Sequence, residues 1–412
     1  MGERKKIGQS TVASGKYVVQ KISPGGPHSF ADHHSLISVD HIWVLSDRSL
    51  LDRGSIVTSE PRKTDRRGGK TNRVEVAAMM HLTPHSQSDI ISLIEPYRGE
   101  LHLHCYRLLG SLHDAEDVVQ ETMLRAWRHF DTFHGAASLR TWLYTIATNA
   151  CLDALKKRSP RMLPTAVSSA SDPQRSVTPK SAEVLWLEPF PDTWLAEATE
   201  NPEARYSRHE SISFAFLTAL QLLPPRQRAI LILSDVLEWR ASEIAHLLEI
   251  SMSAVNSALH RARVTLAQNY QFDKREMVPV SQADAETNAL LSRYMHAWET
   301  DDVAGLVALL KEDAILSMPP IPSWYRGREA IRSILLARFG VQNRWRLYPT
   351  HANGLPAFVL YTASEAKSPY RAFGVQVLTL DGSRPMRQIA EVTIFHTSSL
   401  VIPFGFPLQL PQ

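Results

Sequence analysis

With 412 residues the chain is too long for one ordinary domain and long enough for two or three, each burying its own core. A composition of 44% apolar and 21% charged residues, with a formal net charge of +3, excludes a membrane-embedded or strongly polyelectrolyte chain, and no apolar run approaches the roughly 20 residues that span a bilayer. Only two cysteines occur, Cys105 and Cys151, both inside helical patterns, which excludes a disulfide framework or a cysteine-built zinc site and marks them as packing residues.

The basic start MGERKKIGQS has no apolar stretch or small-residue cleavage site after it, so no secretory leader is expected and the chain is placed in the cytoplasm. Residues 1–80 mix glycine, serine and charge, with the apolar-free tract SEPRKTDRRGGKTNR at 59–73, and read as a poorly ordered extension. It is either a tail preceding a start at Met79 or Met80, or an arm that touches DNA nonspecifically. One patch, HSLISVDHIWVLSDRSLL, can form a strand or two.

From Ser88 the texture changes. Ile90, Ile94, Tyr97, Leu101, Cys105 and Leu108 recur at steps of three and four, predicting one amphipathic helix closed by Gly110. A second helix is predicted in HDAEDVVQETMLRAWRHF, with Asp114 as cap and Val119, Met123, Ala126 and Phe130 as its buried stripe. A third, SLRTWLYTIATNACLDALKKR, starts at Ser138, buries Leu139, Leu143, Ile146, Ala150 and Ala154, and turns Arg140, Thr141, Tyr144 and Thr148 outward. Residues 84–161 are thus a helical domain finishing on Lys156, Lys157, Arg158 and Arg161. Proline-rich 162–204 reads as a linker, 205–270 as a second helical domain and 271–283 as another joint. Residues 284–400 follow a different pattern. Two helices, a strand in AILSMPP and a helix in GREAIRSILLARF precede strands near 344–352, 356–362, 371–380 and 385–396, an α+β domain with a meandering antiparallel sheet.

Within 205–270, a helix at Ser242–Leu248, a turn at Glu249–Ser251 and a helix capped by Ser251 or Ser253 have helix-turn-helix spacing. On the second helix Val255, Leu259, Ala262 and Leu266 share one face. Asn256, Ser257, His260, Arg261 and Arg263 project from the rest, the amide, hydroxyl and guanidinium groups that reach base edges and phosphates.

These residues resemble a family. LPPRQRAILIL, SEIAHLLEIS and AVNSALHRAR are similar to region 4 of the extracytoplasmic-function (ECF) subgroup of sigma-70 factors. DAEDVVQETMLRAW resembles the polymerase clamp-binding helix of region 2, and SLRTWLYTIATNACLDALKKR the element that opens and reads the minus-ten promoter. The resemblance implies that Asp117, Gln120, Glu121, Leu124 and Arg125 dock on core RNA polymerase, with Leu124 and Trp127 either docking or filling the core. It implies that Arg140, Trp142, Asn149, Lys156 and Arg158 meet minus-ten DNA, Trp142 serving as a stacking surface or a core residue and Asp153 as an internal helix partner. It assigns Asn256, Ser257, His260, Arg261 and Arg263 to the minus-thirty-five element, and threads the linker toward the polymerase cleft.

Residues 284–400 resemble the SnoaL-like branch of the nuclear-transport-factor-2 (NTF2) fold, in LLSRYMHAWETDDVAGLVALLKEDAILSMPP, WYRGREAIRSIL, YRAFGVQVLTLDG and MRQIAEVTIF. A cone of this kind holds a pocket, here lined by Met318, Trp324, Tyr325, Trp345, Phe358 and Tyr361 or packed solid by them. Glu391 and Asp313 are the carboxylates to consider for chemistry. The expected fold is therefore all-α sigma regions 2 and 4 followed by an α+β NTF2-like cone. The expected function is promoter recognition and melting on core RNA polymerase with regulation in cis by the cone, without catalysis, metal, cofactor or membrane partner. A cognate anti-sigma factor or a small-molecule ligand of the cone is a possible further partner. The rival readings are a one-component, ligand-sensing DNA-binding regulator and a small-molecule enzyme tethered to a transcription factor. His102 and His104 in LHLHC lie two apart on a helix and do not form a metal pair.

Overall fold

The computed structural model describes residues 36–39, 42–45, 87–135, 137–156, 158–175, 185–196, 211–269, 285–339, 344–364, 368–381 and 387–410. Residues 1–71 and 72–412 form two separate units. In the first, β1 (Leu36–Val39) and β2 (Ile42–Leu45) pair antiparallel within the patch expected to hold strands. The remainder of the 1–80 extension and the joint at 271–283 lie outside the described residues.

Region 2 is built from α1 (Gln87–Ile94), α2 (Arg98–Leu109), α3 (Leu112–Arg128) and α4 (Leu139–Leu155). The single helix expected from Ile90 to Leu108 is interrupted by a three-ten turn over Glu95–Tyr97, because Pro96 has no amide proton to continue the α ladder. Gly110 ends α2 as expected, at φ +69°, and a Cβ there would stand 2.6 Å from Leu187 Cδ2. Ser111, not Asp114, caps α3: its hydroxyl accepts from the Asp114 N–H at 3.1 Å, and the Asp114 carboxylate turns to Arg158 and Arg161. Ser138 caps α4 as expected. Tyr144 and Thr148, expected on its outer face, are buried. Thr148 Oγ1 lies 2.9 Å from His104 Nε2, and the Tyr144 ring lies 5.6 Å from Trp239 of region 4.

Region 4 comprises α5 (Phe214–Gln221), α6 (Pro225–Leu231) running into a π-helical turn at Ile232–Val236, α7 (Ala241–Leu248) and α8 (Met252–Asn269). Glu249 supplies the left-handed turn between α7 and α8 at φ +53°. Of the two candidate serines, Ser251 caps α8, accepting from the Ala254 N–H at 3.2 Å. The described part of the 162–204 segment is a packed wedge rather than a free linker. Arg161–Met162 (β3) pairs with Leu185–Trp186 (β4), and Trp186, Leu187, Phe190 and Leu195 are buried.

The cone begins with α9 (Ala285–Glu299) and α10 (Val303–Leu309), capped by Asp302. Strands β5 (Leu310–Met318) and β6 (Ile321–Arg326), α11 (Arg328–Phe339), and strands β7 (Arg344–Ala352), β8 (Leu355–Ala363), β9 (Arg371–Leu380) and β10 (Ile389–Phe395) follow. The sheet order is β6-β5-β10-β9-β8-β7. It is mixed rather than an antiparallel meander, because β10 returns to lie parallel to β5. Alternation along β8 divides its side chains between two cores. Phe358 and Leu360 pack with Leu290, Leu306 and Ile334 of the cone helices; Ala357, Val359 and Tyr361 join the core containing Leu101, Phe190, Ile212 and Leu217. The sheet face away from the cone helices, here called the convex face, thereby rests on the two helical domains. The six aromatic and methionine residues expected to line one pocket are split. Met318, Tyr325, Trp345 and Phe358 belong to the cone core, whereas Trp324 donates to Ser168 O at 2.8 Å and Tyr361 to Pro407 O at 2.6 Å.

Candidate nucleic-acid and polymerase interfaces

On α3 the buried residues Ala115, Val119, Thr122, Met123 and Ala126 leave a stripe in which Asp117, Gln120 and Arg125 are exposed and Glu121 and Leu124 half-exposed. The stripe is held straight by i,i+4 pairs: Arg125 Nε to Glu121 Oε1 at 2.6 Å and Gln120 Nε2 to Glu116 Oε1 at 3.0 Å. All five expected polymerase-facing residues therefore share one face, while Trp127 packs against the core.

On α4, Trp142, Asn149 and Lys156 are spaced by seven residues and fall on one side. Asn149 and Lys156 are exposed, and Lys156 pairs with Asp153 at 2.7 Å, the internal role expected for that carboxylate. Trp142 is half-buried in a cluster with Phe133 and Phe130, ring centroids 5.3 and 6.2 Å away. Phe130, expected on the buried stripe, does pack against the core, from a three-ten turn over Phe130–Thr132, and Phe133 follows directly after that turn. Arg140 lies on the opposite side, where it donates to Glu100 at 2.9 Å and stacks over Tyr144 at 4.8 Å. Arg158 is bound to Asp114, whose carboxyl stays below the usual range; burial opposes that charge, and Arg161 and Arg158 outweigh it.

On α8 the division is clean. Val255, Ala258 and Ala262 are buried, and Asn256, Ser257, His260, Arg261 and Arg263 are exposed along the opposite surface. Arg263 is engaged bidentately by Asp235 at 2.7 and 3.0 Å. Asn256 and Ser257 stand in the first turns, where a helix in a major groove meets base edges.

Three buried polar centres join these surfaces to the rest of the molecule. Glu188 of the wedge sits at the N-terminus of α3, accepting from Ser111 Oγ, Leu112 N, His113 N and His113 Nδ1 at 2.8–3.2 Å. Burial works against its charge, yet His113 and the backbone donors hold its carboxyl below the usual range, and the same contact raises His113. Arg228 of region 4 reaches into region 2, donating to Leu108 O at the end of α2, to Gln221 Oε1 and O and to Leu223 O. Burial pushes its pKa down to about 10. The third centre is the β7–β8 turn. Asn353 Oδ1 accepts from Phe190 N at 2.7 Å, and Nδ2 donates to Tyr106 Oη at 2.9 Å and Ile212 O at 2.6 Å.

The cone's carboxylates do not converge. Asp313 is an exposed residue beside Lys311, and Glu391 alternates with the inward-facing Val392 and Ile394, its Oε1 accepting from Thr393 Oγ1 on the convex face at 3.2 Å. His102 and His104 are buried among different neighbours, Trp194 and Tyr144, and burial pushes both imidazoles down, His104 to about 3. No helix among the described residues is long and apolar enough to cross a membrane.

Comparison with known proteins identifies the family. The Sigma-70 region 2 profile matches residues 93–161, the Sigma-70 region 4 profile residues 213–266 and the SnoaL-like domain profile residues 291–387. The chain is 40% identical over 326 residues to the ECF RNA polymerase sigma factor SigG of Mycobacterium tuberculosis, covering 79% of this chain and 85% of that one. Among solved structures, the M. tuberculosis ECF sigma factor SigJ is similar at 22% identity and a TM-score of 0.47, covering 77% of this chain and 99% of that one. The Bartonella quintana sigma factor RpoE, solved with the anti-sigma factor NepR, is similar at 21% identity and a TM-score of 0.28, covering 45% and 98%. The matches to regions 2 and 4, in that order along the chain, and 40% identity over 326 residues to an ECF sigma factor have one common explanation: the protein belongs to the ECF RNA polymerase sigma factors, the subunits that bind core polymerase and direct promoter recognition and melting.

Proposed function

We propose that this sigma factor rests in a closed state held by its own C-terminal cone, and that initiation requires regions 2 and 4 to part. The observation that carries the reading is the contact of Tyr144 on α4 with Trp239 of region 4, at 5.6 Å. The elements these regions read are separated by about 25 base pairs, roughly 85 Å of duplex. A protein with the two readers in contact cannot span both. Regulation in cis by the cone follows, because its convex face shares a core with both regions and with the wedge between them.

In the opened protein, Asp117, Gln120, Glu121, Leu124 and Arg125 would meet the polymerase clamp. Trp142, Asn149, Lys156, Arg140 and Arg158 would meet melted minus-ten DNA, the last two after leaving Glu100 and Asp114. The Phe130–Phe133–Trp142 cluster offers a stacking surface for an extruded base. Asn256, Ser257, His260, Arg261 and Arg263 would lie at the minus-thirty-five groove. The working boundaries are 84–161 for region 2, 205–270 for region 4 and 284–400 for the cone, to which buried Val401 and Phe404 add the segment up to 410. The reading assigns no chemistry to the cone. An anti-sigma factor, or a small molecule bound by the cone, would act by shifting the same equilibrium between closed and open forms.

The test uses the full chain with a dye pair at exposed His129 and Gln268. Addition of core polymerase and promoter should lower energy transfer by an amount corresponding to tens of ångströms, and unchanged transfer in the complex would sink the closed-state reading. Gln120→Ala with Glu121→Ala should lose core affinity at unchanged Tm.

A further inference from the structure

We infer that the Asn353–Gly354 turn of the β7–β8 hairpin is the catch of the closed state, the point at which withdrawal of the cone frees region 2, the wedge and region 4 from one another. The inference rests on the closed-state reading above. Asn353 and Gly354 have φ of +55° and +76°, the two left-handed positions of a two-residue turn between Ala352 and Leu355. An Asn-Gly pair at a solvent-facing hairpin tip would be explained by backbone shape alone, but this tip is inside the protein, and Asn353 is 0% exposed.

Every hydrogen-bonding group of the Asn353 side chain is directed at a different part of the sigma factor. The carbonyl oxygen takes the Phe190 amide of the wedge, and the two amide protons go to the Tyr106 hydroxyl of region 2 and to Ile212 O, two residues before region 4 begins its first helix. Its backbone N–H donates to Phe190 O at 3.0 Å, and an antiparallel bridge joins Ala352 to Pro191. Other cone contacts engage one partner each: Phe395 stacks on Phe214, and Trp324 bonds Ser168. The tip alone among these ties three segments that are 141 to 247 residues away in sequence.

The site is also built to let go. Gly354 N donates to both oxygens of Asp192 at 3.0 and 3.1 Å, and that carboxyl is buried against the turn, where desolvation raises its pKa to about 7. An ionised Asp192 is better solvated once the hairpin leaves, so the charge that caps the turn also favours its departure.

The experiment compares full-length wild type, Asn353→Gly, Asp192→Asn and Phe214→Ala at pH 8, reading energy transfer between His129 and Gln268 labels, Tm and Kd for core polymerase. Asn353→Gly keeps the left-handed backbone and removes only the amide. It should lower transfer in the free protein and tighten core binding by at least about tenfold, the lower end of the population shift expected for three lost buried hydrogen bonds. Asp192→Asn retains an acceptor for Gly354 without the charge and should change both readouts in the opposite direction, a result that stands even where the first variant folds poorly. Phe214→Ala, which removes the stack on Phe395 and none of the Asn353 hydrogen bonds, should move both by less than about twofold. Should Phe214→Ala open the protein while Asn353→Gly leaves transfer and Kd at wild-type values, cis regulation survives and the catch is wrong. Should Asn353→Gly open the protein with no gain in core affinity, the closed-state reading itself fails.

Discussion

The two helices proposed to read DNA, α8 and α4, are both amphipathic by sequence, yet only one of them leaves its expected working face exposed. On α8 burial is confined to Val255, Ala258 and Ala262, and the five residues expected to face DNA are all exposed. On α4, Leu143, Tyr144, Ala147, Thr148, Ala150 and Cys151 are all buried, so the helix is covered on two sides. The second cover comes from region 4 and from His104 of α2, partners remote in sequence. Periodicity reports the face a helix turns toward its own domain; it says nothing of a face covered by another domain.

Measurements can sharpen this contrast. The largest effect expected is on pH dependence. His102 and His104 are held neutral by burial beneath α4 and the wedge, so the unfolded chain takes up protons that the folded one refuses. Stability should fall as pH drops below about 6.5, by roughly 1.4 kcal/mol per pH unit for each group. Asp192 has the opposite sign, since its raised pKa makes stability decline as pH climbs from its unfolded value toward about 7. Between pH 4 and 6.5 the two imidazoles, joined by His351, which burial also lowers, act against Asp192 and Glu391, both of which burial raises; above 6.5 stability declines through Asp192 and the raised His113. Urea midpoints should therefore peak near pH 6.5 to 7; a monotonic rise through pH 8 would contradict the buried positions assigned to these groups.

Next in size, Tyr144→Ala should cost about 3–5 kcal/mol in chemical denaturation, because it empties a buried site between α4 and Trp239. Asn149→Ala, one turn away but exposed, should stay within about 0.5 kcal/mol. Equal costs for the pair would break the comparison. Thr148→Val, which removes the hydroxyl beside His104 Nε2, should cost about 1–3 kcal/mol. The smallest stability effects belong to α8. Arg261→Ala should be silent in denaturation while lowering the salt slope of minus-thirty-five binding by about 1, and Asn256→Ala should relax sequence preference rather than weaken all sites. Arg263→Ala should change the slope by less than Arg261→Ala, because Asp235 already neutralises it at 2.7 Å.

Much of the fold was legible. The cap at Ser138, the stop at Gly110, the helix-turn-helix and the strands at 344–352 and 371–380 follow from local signals that act within a few residues. What was not legible is what depends on distant partners. Trp186, Phe190 and Trp194 sit among prolines and acids that spell a linker, and only the cone and α2 convert them into a wedge. Asp114 reads as a cap until Arg161, 47 residues on, is seen to claim it. The mixed sheet arises because β10 pairs with a strand five strands earlier, a pairing that alternation along either strand does not encode. At the candidate sites, the exposure of the expected residues on α3 and α8 could be read from spacing, but the present engagement of Arg140, Arg158 and Arg263 with Glu100, Asp114 and Asp235 could not.

Strand β8, whose alternate side chains serve two cores, has a consequence for the birth of the protein. A ribosome delivers regions 2 and 4 well before the hairpin that binds them, since Asn353 follows Asn269, the last residue of α8, by 84 residues. At about 5–20 residues per second that interval lasts roughly 4–17 s. During it the nascent chain already carries its docking stripe and its helix-turn-helix, with Leu101, Phe190 and Ile212 still uncovered by Ala357 and Val359. Under the closed-state reading proposed above, each molecule would begin life open and close only at the end of its synthesis, giving core polymerase a first claim on newly made copies that it does not have on old ones.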